Sequence, residues 1–196
     1  MGFLFAIFIL FDILTYGFWS LSKEFSMIDR EKIVVESFWK GHKNRDFEDI
    51  VLISQENFSG MRNKIDAVRW FCSNLAARPR MKYYISRYDI SVAGYILWVE
   101  HGGFRQEAYI ELEQIAVKKE LQGKGVGSIL IQSSFQDLKK SIESNSRKLK
   151  TVKITTGKNN TKAQQLYSKT LGAEIENVVK SPYREGDVEV EMFVRY

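Results

Sequence analysis

Between residues 121 and 128 the chain reads LQGKGVGS, with Gly123, Gly125 and Gly127 alternating with Lys124, Val126 and Ser128. A strand-like run precedes this stretch and a helix-like run follows it. A turn that opens a helix carries unpaired backbone N–H groups and the positive end of the helix dipole. Glycine leaves those amides bare, since it has no β-carbon to hold a ligand away. Lys124 adds a mobile positive charge. The physical reading is a cradle for a pyrophosphate, and the alternative is a plain tight strand-to-helix turn. It is not a P-loop, because no GxxxxGK[ST] is present, and it lacks the GxGxxG of dinucleotide sites.

Other reactive groups are sparse. The single cysteine, Cys72, excludes an intrachain disulfide, and the two histidines, His42 and His101, leave no Cys/His cluster for a metal. Cys72 reads as a buried thiol that completes an apolar helical stripe. His101, beside Gly102 and Gly103, reads as a surface loop residue, with a place near a substrate as the alternative. Arg147, Lys148 and Lys150 read as a solvated basic connection, and Trp39, Trp70 and Trp98 as core or rim aromatics. The net charge of +5 suits an anionic ligand, but no recognition-helix or RNA-module motif accompanies it, so nucleic acid is not expected as a partner.

The elements that must position these groups fit one domain. The chain has 196 residues, 44% hydrophobic and 27% charged, which excludes disordered and collagen-like classes. Residues 1–21, MGFLFAIFILFDILTYGFWSL, match the roughly twenty residues of a membrane-crossing helix. No basic residue precedes them, no small-residue cleavage site follows, and Asp12 at mid-depth costs about 2.5–3.5 kcal/mol on insertion. Three readings of residues 1–26 stand side by side: a membrane anchor, a packed hydrophobic segment, or a reading frame extended upstream of a natural start at Met27. As an anchor, Lys23 and Arg30 would keep the following domain cytoplasmic.

From Lys32 the order reads β-α-α-β-β-β-α-β-α-β-β. Lys32 to Phe38 is a first strand; Asn44, Arg45 and Asp46 cap a helix carrying Phe47, Ile50, Val51 and Phe58. A second helix from Asn63 to Ala77 shows the stripe Ile65, Val68, Cys72 and Leu75, spaced as one buried face. Lys82 to Tyr88, Ile90 to Glu100 and Glu107 to Val117 form an antiparallel meander. Ile131, Phe135, Leu138 and Ile142 line a helix. Ser144 to Lys150 is a polar connection, and Thr151 to Thr156 is a strand. Asn159, Asn160 and Thr161 open a helix that Gly172 ends, and Ala173 to Lys180 and Val188 to Arg195 close the order.

In this setting the run Gln122-Gly123-Lys124-Gly125-Val126-Gly127 resembles the Q/R-x-x-G-x-G/A signature of the GNAT N-acetyltransferase superfamily. Asn160-Thr161-Lys162-Ala163-Gln164-Gln165-Leu166-Tyr167 is similar to that family's N-x-x-A-x-x-L-Y helix; Leu171-Gly172-Ala173 follows where members show Gly-Phe. The resemblance covers about Lys32 to Tyr196 and implies a GNAT domain over residues 27–196. The implied α/β fold has a mixed, mostly antiparallel central sheet of about six or seven strands, splayed at the acyl-CoA site, with helices on both faces.

The resemblance also implies chemistry: acetyl transfer from acetyl-CoA, or another acyl-CoA, to a primary amine on a small molecule or peptide, by direct attack and without a metal. Backbone groups of Ile115, Ala116 and Val117 would pair with the pantetheine as an added half-strand. Amides of Gln122, Gly123, Lys124, Gly125, Val126, Gly127 and Ser128 would hold the pyrophosphate, and Asn160 would contact the CoA arm. An ammonium must lose a proton before it can attack. Glu111 is the first choice for that base, and Glu113, on the same face of a regular strand, is the second. Tyr167 would protonate the departing thiolate, its alternative being a core aromatic. A catalytically silent acyl-CoA-binding or partner-binding module is the rival reading. The implied location is cytoplasmic, with membrane contact only through residues 1–21. The amine and the oligomeric state stay open, a homodimer included.

Overall fold

A seven-stranded sheet organises Lys32–Tyr196 in the computed structural model, which describes residues 28–39, 42–61, 63–183 and 185–196. The three readings of residues 1–26 therefore fall outside the described residues. Among the described residues no helix is long and apolar enough to cross a membrane.

The sheet comprises β1 (Ile33–Phe38), β2 (Met81–Tyr88), β3 (Ser91–His101), β4 (Glu107–Val117), β5 (Lys148–Gly157), β6 (Glu174–Lys180) and β7 (Val188–Arg195). Its order is β1-β2-β3-β4-β5-β7-β6, antiparallel throughout except for the parallel pair β4–β5. Helices α1 (Asn44–Asn57) and α2 (Lys64–Ala76) cover one face; α3 (Val126–Ser144) and α4 (Thr161–Leu171) cover the other. The expected element order and the two-faced α/β architecture are both present.

Side-chain alternation divides the core. On β3, Tyr95, Leu97 and Val99 meet Ile50, Ile53, Ala67 and Phe71, while Ile96 and Trp98 meet Leu130, Ile131 and Leu138 of α3. Buried polar atoms are matched across the layers: Trp98 Nε1 donates to Ser134 Oγ at 2.9 Å, and Tyr84 Oη to Asp137 Oδ2 at 2.7 Å.

Three expectations are corrected. The buried face of α2 is Ala67, Phe71, Asn74 and Leu75; Ile65 is 68% exposed and Cys72 is an exposed thiol, not a buried one. The large ring decides the rotation: Phe71 sits 5.4 Å from the Tyr83 ring and 5.3 Å from that of Tyr95, and Asn74 Nδ2 donates to Tyr83 Oη at 3.0 Å. Next, β5 begins at Lys148, because Lys148 and Leu149 pair with Glu107 and Ala108. Arg147 is then no solvated residue; its side chain is half-buried against Glu100 and donates from Nε to the Arg105 carbonyl at 2.7 Å. Lastly, Asp46 is an ion-pair residue, with Lys43 at the α1 N-cap.

Asp46 accepts two hydrogen bonds from Arg87, at 2.9 and 2.7 Å, and Arg87 also reaches Glu36 at 2.5 Å. This fork ties α1 to β1 and β2, and the Arg87 hydrogen bonds hold the Asp46 carboxyl below its usual range. A depressed carboxylate pKa stabilises the fold above the unfolded value near 3.9, and that contribution disappears as pH falls through the folded value. Asp46→Asn should therefore lower the melting temperature at pH 7. In thermal melts from pH 7 to pH 3, the gap from wild type should close only below about pH 4.

Candidate functional site

β4 and β5 pair from Glu107 and Lys148 to Leu112 and Ile154 and then part, although β4 runs on to Val117 and β5 to Gly157. Past that point β5 stays with β7, to Gly157 opposite Glu189, and β4 stays with β3, to Val117 opposite Gly94. Close approach at Gly94 holds β3 against β4, since a β-carbon there would stand 2.6 Å from the Ala116 carbonyl oxygen. That carbonyl thus lies against β3, and the Lys118 N–H donates to Ala93 O at 2.9 Å. Backbone groups alternate along an antiparallel edge, so Ile115 and Val117 turn theirs towards the gap while Ala116 faces β3.

The gap runs into the glycine turn. After a 3₁₀ turn at Lys119–Leu121, Gly123 takes a φ of 75° and Gly125 one of 93°, both left-handed. Gly125 is the N-cap of α3 and no side chain caps it. The first intrahelical bond there is Ile129 N–H to Gly125 O, at 3.1 Å, so the amides of Val126, Gly127 and Ser128 precede the helix ladder. At Gly127 a β-carbon would touch Leu166 at 3.4 Å and Val117 at 3.9 Å, which marks where α3, α4 and β4 converge. Bare amides, a dipole end and Lys124 fit a diphosphate group.

Gln122 acts through its side chain as well. Its Nε2 donates to Val117 O at 3.1 Å and to Asn57 Oδ1 at 2.9 Å, while Asn57 Nδ2 donates to Val117 O at 3.3 Å. The C-terminus of α1 is thereby fastened to the end of β4. Nothing local in the sequence marks Asn57, because its partner Gln122 lies 65 positions away.

On the far side of the gap, Asn160 is the N-cap of α4. Its Oδ1 accepts from Ala163 N–H at 3.4 Å and its Nδ2 donates to Thr156 Oγ1 at 3.3 Å. Asn160 also borders an open cleft of about 660 Å³ with Lys158, Asp187 and Glu189. Seven residues along α4, Tyr167 is 6% exposed, and burial pushes its phenol up to about 12.

The acidic residues gather where the strands part. A bulge interrupts the β3–β4 register between Leu97 opposite Gln114 and Trp98 opposite Leu112, leaving Glu113 as the extra residue. Glu111 is engaged on both oxygens: His101 Nε2 lies 2.9 Å from Oε2, and Lys153 Nζ 3.9 Å from Oε1. Lys153 itself reaches Glu191 at 2.8 Å. His101, expected at the surface, is thus the partner of a candidate catalytic residue. Glu113 reaches solvent, yet loss of water around its carboxyl, followed by the Glu111 charge, pushes its pKa up. Among the described residues no cluster of His, Cys, Asp or Glu could hold a metal ion.

Residues 47–173 match the Acetyltransferase (GNAT) family. No curated protein matches the chain. Among solved structures, the ribosomal-protein-S18-alanine N-acetyltransferase from Escherichia coli is similar at 18% identity and TM-score 0.60, covering 83% of this chain and 93% of that one. A GNAT family acetyltransferase from Elizabethkingia anophelis with acetyl-CoA bound gives 16% and 0.60, covering 85% and 100%. Spermidine N-acetyltransferase from Vibrio cholerae, described as dodecameric, gives 15% and 0.63, covering 85% and 95%. At these identities the likeness is one of fold.

Two substitutions test the cradle. Gly125→Ala forces a β-carbon into left-handed backbone, costing about 1–2 kcal/mol, and should weaken coenzyme A binding at least tenfold by calorimetry. Asn57→Ala removes a brace of the β4 end without touching the glycines. It should raise the coenzyme A dissociation constant about three- to tenfold, the worth of one hydrogen bond.

Proposed function

The chain belongs to the GNAT acetyltransferase family, and from that premise we propose that it transfers an acetyl group from acetyl-CoA to a primary amine by direct attack on the thioester. The observation that carries the reading is the bare edge of residues 113–117 leading into an uncapped, glycine-lined helix N-terminus. An extended pantetheine arm with two amides completes such an edge as a half-strand. Ile115 and Val117 supply the gap-facing backbone groups. The Val117 carbonyl already accepts from two side-chain amides, so its N–H is the freer group. Ala116 contributes by fixing β4 against β3. The diphosphate settles on the amides of Val126, Gly127 and Ser128 beside Lys124, with Gln122, Gly123 and Gly125 shaping the turn.

Asn160 serves the site as the cap that starts α4 and so sets the position of Tyr167. A phenol pushed up to about 12 stays protonated at neutral pH, so it holds a proton for the departing thiolate, whose conjugate acid titrates near 8.5. An acidic group at the parting of β4 and β5 removes the ammonium proton, and Glu111 and Glu113 both stand there. The acceptor is a small amine or a peptide amine, admitted from the open side of the gap.

The deciding experiment supplies acetyl-CoA with panels of amino acids, polyamines, aminoglycosides and peptide N-termini and follows release of free coenzyme A. Thiol release dependent on one amine class is the expected result. Tight acetyl-CoA binding with no turnover on any amine would instead make the chain a silent binding module. For the acid, Tyr167→Phe should lower kcat about a hundredfold while acetyl-CoA affinity by calorimetry stays within about twofold, since the hydroxyl is not part of the diphosphate cradle. Unchanged kcat removes Tyr167 from the mechanism.

A further inference from the structure

The two glutamates at the start of the gap differ in how the protein holds them. Glu111 belongs to the paired part of the sheet, opposite Val99 and Lys153. It lies in a chain of charges, His101–Glu111–Lys153–Glu191, that crosses β3, β4, β5 and β7. Its side chain is 18% exposed and each oxygen faces a side-chain nitrogen, His101 Nε2 or Lys153 Nζ. Glu113 is one residue past the last β4–β5 pair, on the bulge, and reaches solvent. Among the described residues it has no hydrogen-bond or ion-pair partner.

We propose that the two carboxylates divide the work: Glu113, unpartnered on the bulge where β4 leaves β5, accepts the ammonium proton, and His101 and Lys153 pin Glu111 beside it as a fixed negative neighbour. The inference rests on the acetyl-transfer reading and makes His101 a positioning residue. A general base works best when its pKa approaches the working pH, and a like charge nearby moves a carboxylate in that direction. The groups facing Glu113 are Glu111 from its own strand, His101 from β3, Lys153 from β5 and the Tyr83 phenol from β2. Loss of water and the Glu111 charge push Glu113 up, against the opposite pull of His101 and Lys153.

The steps balance. An N–H bond of the ammonium breaks and its proton goes to a Glu113 oxygen. The nitrogen lone pair then bonds to the thioester carbonyl carbon, and the C–S bond breaks as the adduct collapses. Sulfur takes the Tyr167 proton, the second nitrogen proton returns to the phenolate through water, and Glu113 releases its proton to solvent. One proton leaves per turnover.

Two measurements test this. With glutamate side chains labelled with carbon-13, the Glu113 carboxyl should titrate at lower pH in Glu111→Gln than in wild type, since a like charge is gone. In pH profiles of kcat/KM with the best amine of the screen, Glu113→Gln should lose about 10²- to 10³-fold. Glu111→Gln should fall severalfold, with its acid limb moved to lower pH. His101→Leu, which loses the pin on Glu111 together with the opposing pull on Glu113, should lower kcat/KM severalfold without moving the acid limb to lower pH, and His101→Gln, which still offers an N–H, should recover towards wild type. The proposal is overturned by an unmoved Glu113 titration, or by a Glu111→Gln variant that is dead at every pH. It is equally overturned by a Glu113→Gln variant that keeps its activity. If wild type acetylates no amine, the functional reading fails by itself, and the carbon-13 titration still decides whether the two carboxylates are coupled.

Discussion

Past Leu112 and Ile154 the sheet stops satisfying its own backbone, and the rest of the site depends on that constraint. Peptide N–H and C=O groups demand partners, and a strand end held on one side only is a template for another extended chain. β4 cannot close the gap by swinging to β5, because the close approach at Gly94 holds it to β3. β5 cannot swing back, because it is paired with β7 to its last residue. The opening is therefore built into the strand pairing, with no loop needed to keep it apart.

The helices fix what lies at each end of the opening. α3 begins without a side-chain cap, so the positive end of its dipole is left open. α4 begins with a cap, so its geometry is settled before any ligand arrives and Tyr167 is carried to a set place in the core. An open N-terminus and a closed one thus stand on adjacent helices. On the other face, the Arg87 fork and the Asn57 clamp fasten the start and the end of α1 to the sheet. α1 is thereby connected directly to the glycine-turn end of the gap.

Much of this was legible along the chain. β4 and β7 have the bounds their alternation suggests, and Ile131, Leu138 and Ile142 line the buried face of α3 as their spacing requires. The glycine turn and the capped helix were legible because turn and cap chemistry is local. What escaped was whatever depends on a distant partner. Cys72 and Ile65 have helical spacing but lose the core to Phe71, whose ring fits between Tyr83 and Tyr95. His101 looked like a loop residue because Glu111 meets it only across the β3–β4 pairing. The bulge at Glu113 is a property of two strands in register, and neither strand alone discloses it.

The outward position of Cys72 has a practical side. The chain contains one cysteine, and it stands on the exposed flank of α2. Any reagent that counts sulfhydryls counts this one as well, a fixed burst of one equivalent per protein molecule. The same atom gives a single attachment point for a dye or spin label on the helix layer that faces away from the glycine-turn helix.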